Sequence, residues 1–382
     1  MDIVITVNTY YPLTDGVQAV TQYEAEGLVK LGNNVTVVTV RYPGLKEFEV
    51  YNGVKIIRYN ISTKHALYVG DIKGYRELIT NLCLKADALI NVSTQTATTE
   101  TLYPILNTIK CKKILHMHGF HDFKWHLFDF STISTFSHKL WNNLRWYYDY
   151  KKNRKYLKLY DSVIQLHEMD PANIYFKKYL KITSKIINNG ADNSFFSLSR
   201  NNYTNNFGRY ALCVSNYIPR KNQEFLLKAF YLSKKTDLSL LLIGSEKTSY
   251  YEKLLKLKTK LDKKYGKRKV YIMTNIKRDQ IPFYVSNASI SLLGSTWEAF
   301  PISIVEAMAS GTPFISTDVG IVKYLPGGKV INSILEMSFW INTLADETTI
   351  AHEIGLTGRK FAEKHFSEQR NVRSLERILK GN

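Results

Sequence analysis

The chain has 382 residues, with 52 Lys and Arg against 33 Asp and Glu, a formal charge of +19. Hydrophobic residues make up 45% and charged residues 22%, which excludes a mainly disordered chain, and the length suggests two or three domains. Three scattered cysteines, Cys83, Cys111 and Cys213, exclude a disulfide scaffold and a Cys-rich zinc module and fit a reducing compartment.

Along the chain, short apolar strands alternate with helical patterns. Residues 3–7 read as a buried strand, not as the basic, cleavable leader of a secreted protein. A helix is expected at 17–31 and strands at 34–40, 54–59, 88–92, 113–117 and 162–166. Several of these are β-branched runs without polar alternation, as strands covered on both faces should be. Residues 138–160 read as one long helix. The stretch 192–209 is polar and turn-rich, and marks a break. The pattern then restarts with strand 210–214, helix 222–233, strand 238–243, helix 253–264, strands 270–273 and 288–293, helix 302–310 and strand 313–317. Such alternation predicts βαβ units and a parallel sheet in each half. Domains are expected at 1–192 and 193–362, with 363–382 as a terminal helix. No apolar run approaches the roughly 18 residues of a membrane span.

The segment Ser295-Thr-Trp-Glu298-Ala-Phe-Pro-Ile-Ser-Ile-Val-Glu306-Ala-Met-Ala-Ser-Gly-Thr-Pro carries the strongest chemical signal. A strand runs into a loop holding Glu298, and a helix starts near Pro301, where a missing N–H costs nothing. The amides of Ile302 and Ser303 then point out of the helix start and form an anion site that the helix dipole reinforces. Glu306 follows within the helix, and Gly311 caps its end. A phosphate cradle between two carboxylates results, and carboxylates accept hydrogen bonds from neighbouring hydroxyls. The blander reading has both glutamates as surface charges beside a helix start.

Other motifs bound the chemistry by their absence. No Gly-x-Gly-x-x-Gly and no Gly-Lys-Ser/Thr is present, which disfavours a Rossmann dehydrogenase and a P-loop enzyme. His116, His118 and His121 form a His-x-His-x2-His cluster, but with no matching Cys or carboxylate set evident, no metal is expected there. Residues 138–160 combine Lys139, Arg145, Lys151, Lys152, Arg154, Lys155 and Lys158 with Trp141, Trp146, Tyr147, Tyr148, Tyr150, Tyr156 and Tyr160. Basic residues with amphipathic aromatics suit an anionic membrane surface, with Lys151, Lys152, Arg154 and Lys155 as its contacts. The competing reading is a solvated basic face over an aromatic core stripe. No nucleic-acid module surrounds the run, so no nucleic-acid partner is expected.

The Glu298–Pro313 block resembles the Glu-x7-Glu region of the family-4 retaining glycosyltransferases. Asn8-Thr-Tyr-Tyr-Pro-Leu-Thr-Asp-Gly16-Val17, His116-Met-His118-Gly, Asn189-Gly-Ala-Asp192 and Val214-Ser-Asn216-Tyr-Ile-Pro-Arg220-Lys221-Asn222 resemble further segments of that family, in order, over nearly the whole chain. The resemblance implies an α/β chain of GT-B architecture: two Rossmann-like βαβ domains facing across a cleft. The first would bind the acceptor and the second the nucleotide sugar, with the terminal helix returning to the first domain.

Residue by residue, the resemblance implies that Glu298 holds sugar hydroxyls, Glu306 the ribose, and Lys221 the diphosphate, helped by the amides of Ile302 and Ser303. Gly16 would admit the loop backbone to that diphosphate, Asn216 and Phe300 would line the donor site, and His118 would face the transferred sugar. The family's arginine is missing at Asn216, and Arg220 is expected to supply the second positive charge. Expected catalytic residues are therefore Glu298, His118 and Lys221. The sequence has no Asp-x-Asp pair, which fits a site that needs no metal and no cofactor beyond a UDP- or GDP-linked sugar.

The expected activity is retaining transfer of a hexose to a glycan or lipid-linked glycan, in bacterial surface polysaccharide or glycolipid assembly, at the cytoplasmic face of the membrane. Two alternatives stand beside it: a GT-B nucleotide-sugar epimerase, which would consume donor without an acceptor, and a non-catalytic basic protein that binds polyanions or membranes.

Overall fold

The computed structural model describes residues 1–13, 15–64, 67–125, 127–130, 132–197 and 206–381. Part of the expected break at 192–209 and residue 14 of the first loop lie outside the described residues. The chain divides into two compact units, Met1–Asn188 with Val372–Asn382, and Asn189–Asn371. The first boundary thus falls four residues before the expected one, and the terminal return begins at 372 instead of 363.

The first unit contains strands β1 (Asp2–Val7), β2 (Asn34–Val40), β3 (Phe48–Tyr51), β4 (Val54–Tyr59), β5 (Ile61–Lys64), β6 (Leu67–Gly70), β7 (Ala88–Val92), β8 (Lys112–His116), β9 (Ser162–Gln165) and β10 (Lys185–Ile186). Its helices are α1 (Gly16–Lys30), α2 (Ile72–Cys83), α3 (Ala97–Glu100), α4 (Ile133–Leu157) and α5 (Pro171–Tyr175). Eight strands form one sheet in the order β10-β9-β8-β7-β1-β2-β4-β3, while β5 and β6 pair as a separate hairpin. All pairings in the main sheet are parallel except β3 with β4. The period of two sorts β1 between two cores: Val4 packs on one face with Leu89 and Leu115, and Ile3, Ile5 and Val7 pack on the other with Ile90 and Ile114. β1 thus buries apolar residues on both of its faces, as its sequence predicts.

The second unit contains α6 (Asn193–Ser197), β11 (Arg209–Val214), α7 (Gln223–Leu232), β12 (Leu238–Ile243), α8 (Ser249–Tyr265), β13 (Val270–Met273), α9 (Ile281–Asn287), β14 (Ile290–Leu293), α10 (Ile302–Ala309), β15 (Phe314–Thr317), β16 (Gly328–Ile331), α11 (Ile334–Asp346) and α12 (Thr348–His365). Its six strands are all parallel, in the order β13-β12-β11-β14-β15-β16. The order reverses direction between β11 and β14, and loops at the carboxyl ends of strands beside such a switch are where open α/β sheets bind ligands. A last helix, α13 (Glu368–Lys380), begins in the second unit and ends in the first, where Val372, Leu375 and Ile378 join the core behind β1. Gly27 of α1 makes room for it, since a Cβ there would lie 2.5 Å from a Val372 methyl.

Candidate functional site

The segments that follow β11 and β14 carry the expected donor residues of the second unit, and the loop after β15 supports them from below. After β11 the chain enters a tight turn, Pro219–Lys221, and Asn222 leaves it at φ 49°. Tyr217 anchors this loop. Its buried hydroxyl donates to the carbonyls of Leu242 and Met273, both at 2.8 Å. Gly244 is required beneath it, because a Cβ there would meet the Tyr217 ring at 2.5 Å. That contact accounts for a glycine whose sequence context alone is uninformative.

After β14 the loop 295–301 carries Glu298. The amide of Thr296 donates to the carbonyl of Arg220 at 2.9 Å, which ties the two loops together. Gly320, beyond β15, sits under the same loop at φ 54°, and a Cβ there would lie 2.2 Å from the Ala299 carbonyl. No side chain fits that position, so Gly320 fixes the height of the Glu298 backbone.

The Glu298 carboxylate is only 8% exposed. It accepts a hydrogen bond from Lys221 Nζ at 2.5 Å and one from Ser295 Oγ at 2.7 Å, both on Oε1. Arg220 Nη1 stands 3.8 Å from Oε2, and its guanidinium lies over the Trp297 ring at 5.2 Å. Three expected residues, Lys221, Arg220 and Glu298, are thus one cluster, with Ser295 as a partner the sequence did not single out.

Helix α10 begins beside this cluster. Pro301 is its N-cap, at φ −71° and ψ 114°, so the proline stands one residue outside the helix instead of at its first position. The first amides bonded within the helix start are those of Ile304 and Val305, to the Pro301 carbonyl. The amides of Ile302 and Ser303 precede them and carry the positive end of the helix dipole. At the far end, Gly311 adopts φ 70° while the Thr312 amide bonds the Ala307 carbonyl at 2.9 Å, the left-handed cap expected there.

Glu306 is 2% exposed, among the apolar residues of α10. Its carboxylate pairs with Arg278, whose guanidinium also covers the Phe195 ring at 5.4 Å. A buried carboxylate requires such a partner. Arg278 was not legible in the sequence, because nothing local distinguishes it among the 52 basic residues. Asn216 is exposed, and its carbonyl accepts from Gln223 Nε2 at 3.1 Å. Phe300 differs from expectation: its ring packs edge-on against Phe366, 5.6 Å between centroids, and is buried. Its carbonyl is taken by Asn189 Nδ2 at 2.9 Å, which gives the Asn189–Asp192 segment a structural task.

In the first unit, Gly16 is the first residue of α1 and is exposed; Asp15 caps that helix by accepting from the Gln18 amide at 2.8 Å. His116 ends β8 and His118 lies two residues beyond, with ring centroids 4.3 Å apart. Burial, and then the neighbouring His116, push the His118 imidazole well below the usual histidine range, which favours its neutral form at neutral pH. His121 is separate: a ring nitrogen lies 2.8 Å from Asn143 Oδ1 and the ring stands edge-on to Phe123. The expectation that no carboxylate joins the histidines needs correction. Glu24, on α1, is brought beside His116 and His118 by the packing of α1 on the sheet, with Glu24 Oε2 3.3 Å from His116 Nδ1.

Helix α4 starts at Ile133, five residues earlier than expected. Lys151, Lys152, Arg154 and Lys155 are all exposed. Its aromatics divide: Tyr150 is buried, while Trp141, Tyr147 and Tyr148 face outward.

The group 1 glycosyl transferases family model matches residues 198–327, which include Lys221, Glu298 and Glu306. Over the whole chain, the solved structures it resembles are glycosyltransferases of GT-B architecture. The fold is GT-B. A glycosyltransferase from Rickettsia africae superposes with a TM-score of 0.76 at 18% identity, covering 100% of this chain and 98% of that one. Sucrose-phosphate synthase from Thermosynechococcus elongatus gives 0.75 at 16%, with the same coverage. Anabaena Alr3699/HepE, solved with UDP-glucose, gives 0.72 at 16% and covers both chains fully. No curated protein matches the sequence. Identities this low establish the fold and leave the reaction to be argued from the site.

Proposed function

We propose that the protein is a retaining glycosyltransferase that moves a hexose from a nucleotide-diphosphate sugar to a glycan or lipid-linked glycan. The observation that carries this reading is the juxtaposition in one place of the Lys221–Glu298 pair with the unbonded amides of Ile302 and Ser303 at the start of the helix that holds Glu306. Cleaving a sugar–phosphate bond leaves negative charge on the departing diphosphate. Lys221, turned from Glu298 to the diphosphate, joins Arg220 and the helix start in stabilising that charge, and such electrostatic stabilisation is usually the largest single source of catalysis. No metal is assigned to that step. Glu298, once its lysine turns to the diphosphate, accepts hydrogen bonds from sugar hydroxyls, and Glu306 accepts from the ribose.

The acceptor hydroxyl attacks the face the diphosphate leaves, its proton passes to a diphosphate oxygen, and the anomeric configuration is kept. In this reading the second unit binds the donor and the first the acceptor, and His118 and Gly16 serve the transfer step. The complex of Alr3699/HepE with UDP-glucose supports a UDP-linked donor. The outward aromatics and bases of α4 support docking on an anionic membrane, the setting of a lipid-linked acceptor in surface polysaccharide or glycolipid assembly.

A thermal-shift screen of UDP, GDP, ADP and their sugar conjugates tests the donor assignment, since a ligand of the folded state must raise the melting temperature. One nucleotide class should shift the wild type, equally with and without EDTA, and not shift Glu306→Ala. No shift with any nucleotide overturns the reading and favours the non-catalytic basic protein.

A further inference from the structure

We propose that Glu24, His116 and His118 form a binding site for one divalent transition-metal cation of the zinc class. Each residue offers one ligand atom, and these atoms all lie within 4.8 Å of one another. The three come from two elements, α1 and the carboxyl end of β8, so the site is made by the packing of the first unit and not by a local turn.

Burial makes this cluster unusual. Glu24 is 3% exposed and His116 0%. Glu24 Oε1, both ring nitrogens of His116 and Nε2 of His118 are buried with no hydrogen-bond partner. Each buried polar atom left unpaired costs stability, and a carboxylate costs more than a neutral group. A proton shared along the 3.3 Å edge from Glu24 Oε2 to His116 Nδ1 would satisfy that edge alone. It leaves Glu24 Oε1 and the His118 nitrogen as they are. A cation at the centre engages all three side chains at once.

The donor set selects the cation. Two imidazoles and one carboxylate suit zinc, which binds nitrogen at about 2.0–2.1 Å and carboxylate oxygen at about 2.0–2.2 Å, often with a fourth position left open. Such bond lengths put tetrahedral ligand atoms roughly 3.3–3.5 Å apart, and the Glu24–His116 edge already has that spacing. Calcium and magnesium demand oxygen ligands, which two histidines do not provide.

The test uses the full chain, stripped with EDTA, with no nucleotide sugar present. Addition of Zn2+ should load one equivalent and raise the melting temperature. Co2+ in its place should give the visible absorption of a four- or five-coordinate ion. Both signals should be lost in Glu24→Gln and in His116→Asn. Should either variant misfold, the double replacement Glu24→Leu/His116→Thr removes the ligands while leaving the cavity filled with apolar groups. Absence of stoichiometric binding by the folded wild type overturns the site, as does binding that persists in folded variants, which would place the metal on surface histidines. Because no donor or acceptor takes part, failure here leaves the transferase reading intact, and failure of that reading leaves this result standing.

Discussion

At the scale of single residues, the Lys221–Glu298 pair matters for stability and, under the proposed function, for turnover. The carboxylate is nearly buried, and its charge is compensated by one short lysine contact, one serine hydroxyl and a more distant arginine. Removing one member of such a pair leaves the other charge desolvated, which costs more than the pair itself is worth. Lys221→Met should therefore destabilise the second unit by about 2–4 kcal/mol, and the double variant Lys221→Met/Glu298→Gln should recover most of that loss. Chemical denaturation of the two singles and the double closes the cycle. Turnover should behave differently. Loss of a cation aimed at developing charge costs roughly 100- to 1,000-fold in kcat, and the double variant should not recover it. Recovery of turnover in the double would mean that Lys221 serves only to hold Glu298.

At the scale of elements, the sequence was most readable where one period dominates. The strands β1, β2, β7, β11 and β12 are buried on both faces, so each stands out in composition as a nearly unbroken apolar run. The hairpin β5–β6, the edge strands β3 and β16 and the two-residue β10 are short or half exposed, and no such run stands out. The segment 298–313 was legible because Pro301, Gly311 and the two glutamates sit at fixed offsets along it. Arg278, Ser295, Gly320 and Glu24 owe their roles to contacts across sequence separations or to loop closure, and such contacts have no local pattern. Phe300 shows the converse: its neighbours in the motif face the site, but its own side chain is turned inward onto Phe366.

The start of α5 gives an element-scale prediction with a definite sign. Asp170 caps this helix by accepting from the Ala172 amide at 2.8 Å, yet it is 2% exposed, and burial pushes its carboxyl up from 3.8 to about 6. Between those values the folded state holds a proton that the unfolded state has lost, so stability falls as pH rises through this window. Above it the cost is constant, up to about 3 kcal/mol. Asparagine caps a helix as well as aspartate does, without the charge. Asp170→Asn should thus stabilise the protein most at pH 7.5, with the gain falling to about half by pH 5 and vanishing below the unfolded carboxyl's range. Unfolding midpoints at these pH values check it, and a gain independent of pH would assign the effect to something other than the buried charge.

At the scale of the whole molecule, the charge of +19 is an argument about partners, and under the proposed function α4 is where it would act. None of the described helices is long and apolar enough to cross a membrane. Ile133 is 89% exposed at the start of α4, and Trp125, Phe130 and Phe136 form an exposed aromatic cluster beside it, with ring centroids 5.2–5.9 Å apart. The exposed bases Lys151, Lys152, Arg154 and Lys155 occupy the other end of the helix. An apolar anchor and a basic patch on one helix are the two signals that together give stable peripheral binding, each alone being marginal. Each base near an anionic surface contributes about 1 kcal/mol, and that share is screened by salt, while the aromatic share is not. Wild-type protein should co-float with vesicles containing phosphatidylglycerol and much less with neutral ones. Reversing the four bases to glutamate should abolish the preference for anionic lipid. Trp141→Ser with Ile133→Ser should instead lower binding to both vesicle types and steepen the dependence of what remains on salt. Vesicle binding unchanged by the charge reversal would show that α4 is a solvated face and that the net charge meets some other polyanion.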